Sequence, residues 1–145
     1  MKIRLDTSVD GFLRADSRNA RRFVGPKLGP AAMNVLATLV EVVDSVGGSA
    51  EVDLDEVAAR VGLSERGLEK ALDRLDAFDV VSRSGGELVV REWIDTPSAA
   101  WRADHYPVEL AAEFKMLVDS VIAAQPSVEV EDEPCGPTQT ELGIG

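Results

Sequence analysis

Arg66 and Lys70 stand four residues apart in the stretch Ser64-Glu-Arg-Gly-Leu-Glu-Lys70. On a helix that spacing puts both side chains on one face. A guanidinium there can bond guanine O6 and N7, and both cations can meet phosphate. Ser64 is a good helix N-cap and belongs to the same outward-facing set. Glu65, Glu69 and Asp73 surround the two bases. A glutamate can accept from cytosine N4, yet three acids near phosphates also repel. The competing reading is a solvated face, on which Glu69 and Asp73 form a like-charge pair four residues apart. Both readings stay open on the residues alone.

Other bases extend the pattern. Arg74 follows on the same stretch, and Arg83 and Arg91 flank the turn Ser84-Gly-Gly86. Arg83 beside the two glycines suits a phosphate or minor-groove contact, and it equally suits an ordinary exposed hairpin arginine. Arg14, Arg18, Arg21 and Arg22 are the densest positive cluster. The last three share a face if that segment is helical. They fit phosphate contact, or else solubility and packing against an acidic body. The expected DNA-contacting set is therefore Ser64, Arg66, Lys70, Arg74, Arg83, Arg91, Arg18, Arg21 and Arg22.

Catalytic and metal chemistry find less support. His105 is the sole histidine and has Asp104 beside it, with no cysteine ligand near in sequence. No metal site is expected from that. A Ser/His/Asp set exists on paper but lacks a nucleophile elbow and an oxyanion motif. There is no glycine-rich phosphate-binding loop. The chain is expected to be neither an enzyme nor a cofactor carrier. Trp93 and Trp101 read as core or interface anchors rather than as a base-stacking platform.

Three helices and a hairpin must position these side chains. Pro30 suits a first helical turn, and Val35, Leu36, Leu39, Val40, Val43 and Val46 follow at near-helical spacing up to Gly47-Gly48. This helix is apolar over a wide face and reads as the buried one. Ser49 to Val52 fits a short strand. Asp53 caps a second helix, with Glu56 placed for a capping box and Gly62 at its end. Ser64 caps a third, in which Leu68, Ala71, Leu72 and Leu75 form the core stripe. Val80 to Arg83 and Glu87 to Arg91 pair across the glycine turn. Ahead of all this, Lys2 to Leu5 alternates like a strand, and Phe12 to Ala15 is expected to pair back on it across Asp10-Gly11. A fourth amphipathic helix starts at Pro107 and ends near Gln125.

The run Asp55-Glu-Val-Ala-Ala-Arg-Val-Gly-Leu-Ser-Glu-Arg-Gly-Leu-Glu-Lys-Ala-Leu-Asp-Arg-Leu75 resembles the bacterial and phage winged helix-turn-helix pattern. Leu28-Gly-Pro-Ala-Ala-Met-Asn-Val-Leu36 is similar to the first helix of such domains. The resemblance covers about 65 residues. It implies a third helix in the major groove and a hairpin wing. It leaves function broad, because this fold serves repressors, replication initiators and protein-docking modules alike. Two positions depart from the pattern. Gly67 replaces the usual threonine, and Asp79 the usual glycine after the third helix.

The expected organisation is a basic arm or short hairpin over 1–29, a winged helix-turn-helix over 30–94, a linker with the amphipathic helix over 95–125, and an acidic disordered tail over 126–145. The fold class is mainly α with a small β-hairpin wing and a C-terminal helix. The net charge of −11 is spread as +4, −7 and −8 over 1–29, 30–94 and 95–145. An acidic body must gather its bases on one face to hold double-stranded DNA. The fourth helix is a candidate dimer seam. The alternative is an acidic protein-interaction module that docks on a basic partner through its body and tail, or mimics nucleic acid. One cysteine, Cys135, no apolar leader and no run of roughly 20 apolar residues make cytoplasm the expected location, without membrane contact.

Overall fold

A computed structural model describes residues 1–8 and 11–124. The expected acidic tail and Cys135 lie outside the described residues. In order, β1 is Lys2–Asp6, β2 Leu13–Arg14, α1 Arg18–Phe23, α2 Gly25–Leu28, α3 Pro30–Asp44, β3 Ser49–Glu51 and α4 Leu54–Val61. Then come α5 Glu65–Ala77, β4 Val81–Ser84, β5 Glu87–Arg91, β6 Trp93–Ile94, α6 Ala99–His105 and α7 Val108–Ala124. The architecture is mainly helical with a small sheet. The chain forms two units, Met1–Trp101 and a second beginning at Arg102.

In the first unit α3 is the central helix. Val35, Leu36, Leu39, Val40 and Val43 are all fully buried. Each such side chain contributes roughly 1.5–3 kcal/mol by leaving water. The helix starts at Pro30, where a missing N–H costs nothing. It carries no charged residue before Glu41, which lets it bury so wide a face.

Helices α4 and α5 pack on α3 and on each other. Asp53 caps α4 by accepting from the Asp55 N–H at 2.9 Å. The expected capping box with Glu56 does not form among the described residues, because Asp53 caps alone through the nearer N–H. The turn after α4 is a Schellman motif. Gly62 lies at φ 75°, and the Leu63 N–H returns to the Ala58 carbonyl at 2.8 Å. Glycine takes this left-handed conformation without strain. Ser64 then caps α5, its hydroxyl accepting from Gly67 N–H at 3.0 Å. Leu68, Ala71, Leu72 and Leu75 are buried, as their spacing predicts.

α5 ends by the same device. The Val80 N–H reaches the Leu75 carbonyl at 3.1 Å and the Asp79 N–H the Asp76 carbonyl at 3.0 Å. The left-handed position is Asp79, at φ 60°, the one non-glycine with positive φ among the described residues. Strands β4 and β5 follow as an antiparallel hairpin, turning at Gly85-Gly86.

The four-stranded sheet has the order β3-β1-β5-β4. β1 runs antiparallel to β3 and parallel to β5. Ile3 and Leu5 are buried and stand in register with buried Leu88 and Val90. That shared apolar face fixes the register, since a one-residue slip would turn both strands inside out. The expected hairpin between residues 2–5 and 12–15 does not form. β2 pairs instead with β6, Leu13 opposite Ile94. Gly11 makes this approach possible: a Cβ there would stand 2.3 Å from the Ile94 nitrogen.

The second unit holds most of α6 and all of α7. Tyr106 and Phe114 are buried and meet edge to face, centroids 6.0 Å apart. The Arg102 guanidinium lies 4.5 Å over the Phe114 ring. No helix of the described residues is long and apolar enough to cross a membrane.

Candidate nucleic-acid interface

The exposed side of α5 is set by its buried stripe. With Leu68, Ala71, Leu72 and Leu75 inward, Glu65, Arg66, Glu69, Lys70 and Asp73 face out. Arg66 and Lys70 are exposed, and neither has an ion pair or side-chain hydrogen bond among the described residues. Ser64 is also exposed, with its hydroxyl engaged as the helix cap.

Arg74 serves the fold. Its Nε donates to the Leu28 carbonyl and its Nη2 to the Lys27 carbonyl at 2.8 Å. Its guanidinium also lies 5.2 Å from the Phe78 ring centroid. Lys27 joins the same cluster, 5.4 Å from Phe78 and 5.9 Å from Trp101. These contacts tie the C-terminal half of α5 to the end of α2. Leu28 and Lys27 carbonyls at a helix end need donors, and a guanidinium supplies two at fixed spacing.

Arg83 turns from β4 towards α5. Its Nη2 donates to Asp73 Oδ1 at 3.0 Å, and its Nη1 stands 3.5 Å from Glu69 Oε2. The hairpin arginine therefore offsets one of the two helix charges that it faces. Arg91, on β5, also has an interaction partner.

The bases of the first 29 residues are only partly free. Arg14 is gripped by three carboxylates, with Nε to Asp16 at 2.7 Å, Nη2 to Asp44 at 2.8 Å and Nη1 to Glu92. The bond to Asp16 leads the effects that push its pKa above the ordinary arginine value. Lys2 and Arg4 face Glu87 at 3.9 and 3.5 Å. Ser17 caps α1 by accepting from Ala20 N–H, so Arg18, Arg21 and Arg22 do stand on a helix. Arg21 donates to Asn34 Oδ1 at 2.7 Å, and Arg22 has a partner of its own. Arg18 is exposed and without a partner among the described residues.

Between the start of α3 and the flank of α5 runs a shallow apolar groove of about 350 Å³. Pro30, Ala31, Leu63 and Ala71 line it, and Lys70 stands at its edge. Among the described residues, no three His, Cys, Asp or Glu side chains are grouped to hold a metal ion.

Among the pairings that sequence reasoning missed are Arg74 with the α2 carbonyls and Arg83 with the α5 acids. For the second a signal was present. Glu69 and Asp73 repel at four-residue spacing, and the nearest downstream base off the helix is Arg83. For the first there was none, since carbonyls at a helix end carry no side-chain signature.

No family model matches the chain, and no curated protein matches it. Among solved structures, the chain is similar to primosome protein DnaB (residues 1–300) from Geobacillus stearothermophilus, at 14% identity and a TM-score of 0.45. The match covers 88% of this chain and 52% of that one, so the chain spans about half the length of that structure.

Proposed function

We propose that the chain is a DNA-binding winged-helix protein, a transcription regulator or replication-associated factor of a bacterium or phage, and not an enzyme. In this reading α3, α4 and α5 are the three helices, the β4–β5 hairpin is the wing, and α5 enters the major groove. One observation carries it. Arg66 and Lys70 are exposed and unpaired four residues apart on α5, while Arg14, Arg74 and Arg83 are all committed to protein partners. Two unpaired cations on one helix face suit a polyanion, and Arg18 adds a third off that helix. α7 would supply a dimer seam, since Val108, Met116 and Ile122 on it are 84%, 71% and 62% exposed.

Retention of genomic fragments by the full chain at rising salt tests this reading. Retention at low salt that falls steeply as salt rises supports it. Absence of any salt-dependent retention overturns it.

A second reading has its own observation. Glu65, Glu69, Asp73 and Asp76 are all exposed on α5, in a chain of net charge −11. An acidic helix face suits a basic protein surface or mimicry of nucleic acid. Pull-down before and after nuclease treatment separates the two, since a partner lost with the nuclease belongs to the DNA reading.

A further inference from the structure

Glu69 occupies the outward row of α5 between Arg66 and Asp73, three residues after one and four before the other. It is 63% exposed on its side chain. Its Oε2 is the oxygen 3.5 Å from Arg83 Nη1, and neither carboxylate oxygen takes a hydrogen bond among the described residues. Arg83 bonds Asp73 at the same time. Two consequences follow. The guanidinium cancels one of two neighbouring negative charges, which lowers the cost of bringing this helix near phosphates. Its Nη1, 3.5 Å from Glu69 Oε2, also draws that oxygen towards the wing by charge, without a hydrogen bond between them.

A carboxylate in the major groove discriminates sharply among bases. Cytosine presents an N4 donor, whereas guanine presents two acceptors and thymine an acceptor and a methyl group. Adenine has an N6 donor, but its N7 acceptor stands beside it and repels a second oxygen. We propose that α5 reads a cytosine through Glu69 Oε1, with Arg83 as the positioning residue that holds Glu69, next to a guanine read by Arg66. The preferred duplex then carries a fixed G·C pair opposite Glu69. This rests on the DNA-binding reading and names the sequence class for it.

Selection from a randomised duplex pool tests it, using the full chain as wild type, E69Q, R83A and R83K. Glu69 and Arg83 are surface residues, and circular dichroism checks that each variant is folded. Wild type is expected to enrich a motif with one invariant cytosine. E69Q should lose that preference by roughly tenfold and move towards adenine, which glutamine can bond through N6 and N7. R83A should relax the same position and no other, and R83K should restore part of it. An unchanged cytosine frequency in E69Q, or a loss spread evenly over all positions in R83A, overturns the proposal. Salt-dependent retention by wild type without any motif also overturns it, while leaving DNA binding standing. No retention at any salt removes both.

Discussion

Arg74 donates its Nε proton to the carbonyl of Leu28, 46 residues earlier in the chain. A residue that reads as one more outward base is thereby a strut between α5 and α2. Replacing it with alanine removes two charged hydrogen bonds and the contact with Phe78. The expected loss is about 2–3 kcal/mol of stability, read by urea denaturation. Lysine should not restore it, because an ammonium cannot span two carbonyls as a planar fork does. A change below about 0.5 kcal/mol, the ordinary surface range, would contradict the assignment.

Asp79 pays for its left-handed conformation at the end of α5. Asp79→Gly should relieve that strain while keeping the bonds from Asp79 and Val80 N–H to the helix. Stability is expected to rise by about 0.5–1 kcal/mol, seen as a higher midpoint of thermal unfolding. A fall would mean that the aspartate side chain stabilises the turn by more than its backbone costs.

Tyr106 is the single tyrosine, so its ionisation can be followed alone by phenolate absorbance. Burial pushes its pKa above the ordinary 10.0, and the opposing pull of Arg102 is smaller. The folded state therefore favours the neutral phenol. Its contribution to stability is fully present below the unfolded value and is lost as pH rises through the folded one. The absorbance midpoint of the folded chain should lie above 10.0, and that of the urea-unfolded chain near it. Equal midpoints would contradict the burial.

Helices α3, α4, α5 and α7 were legible because their signals are local, whereas α2 and α6 were not read and α1 was only a conditional helix. Ser64 and Asp53 announce caps, Gly62 announces a left-handed end, and Leu68 to Leu75 repeat at helical spacing. The β4–β5 hairpin was legible from Gly85-Gly86 for the same reason. The place of β1 was not. Its alternation marks a strand, but nothing near Ile3 says that its parallel partner is Leu88. Parallel pairing needs a long crossover and leaves no turn to read. The β2–β6 pairing was hidden likewise, with Gly11 its sole trace. Charge was the least legible part of the site. Bases of equal weight in the sequence separate in the fold into bound Arg14, Arg74 and Arg83 and unpaired Arg18, Arg66 and Lys70.

That separation is open to a direct measurement. The affinity of the full chain for a retained duplex is followed against salt, for wild type and for R66A, K70A and the double variant. Each phosphate contact contributes about 0.9 to the slope of log affinity against log salt. Arg66 and Lys70 meeting phosphate or guanine should make both single variants weaker binders, with a shallower slope wherever the lost contact is to phosphate, and the double variant weaker than either. Affinity and slope unchanged in the double variant would contradict a DNA-binding face on α5.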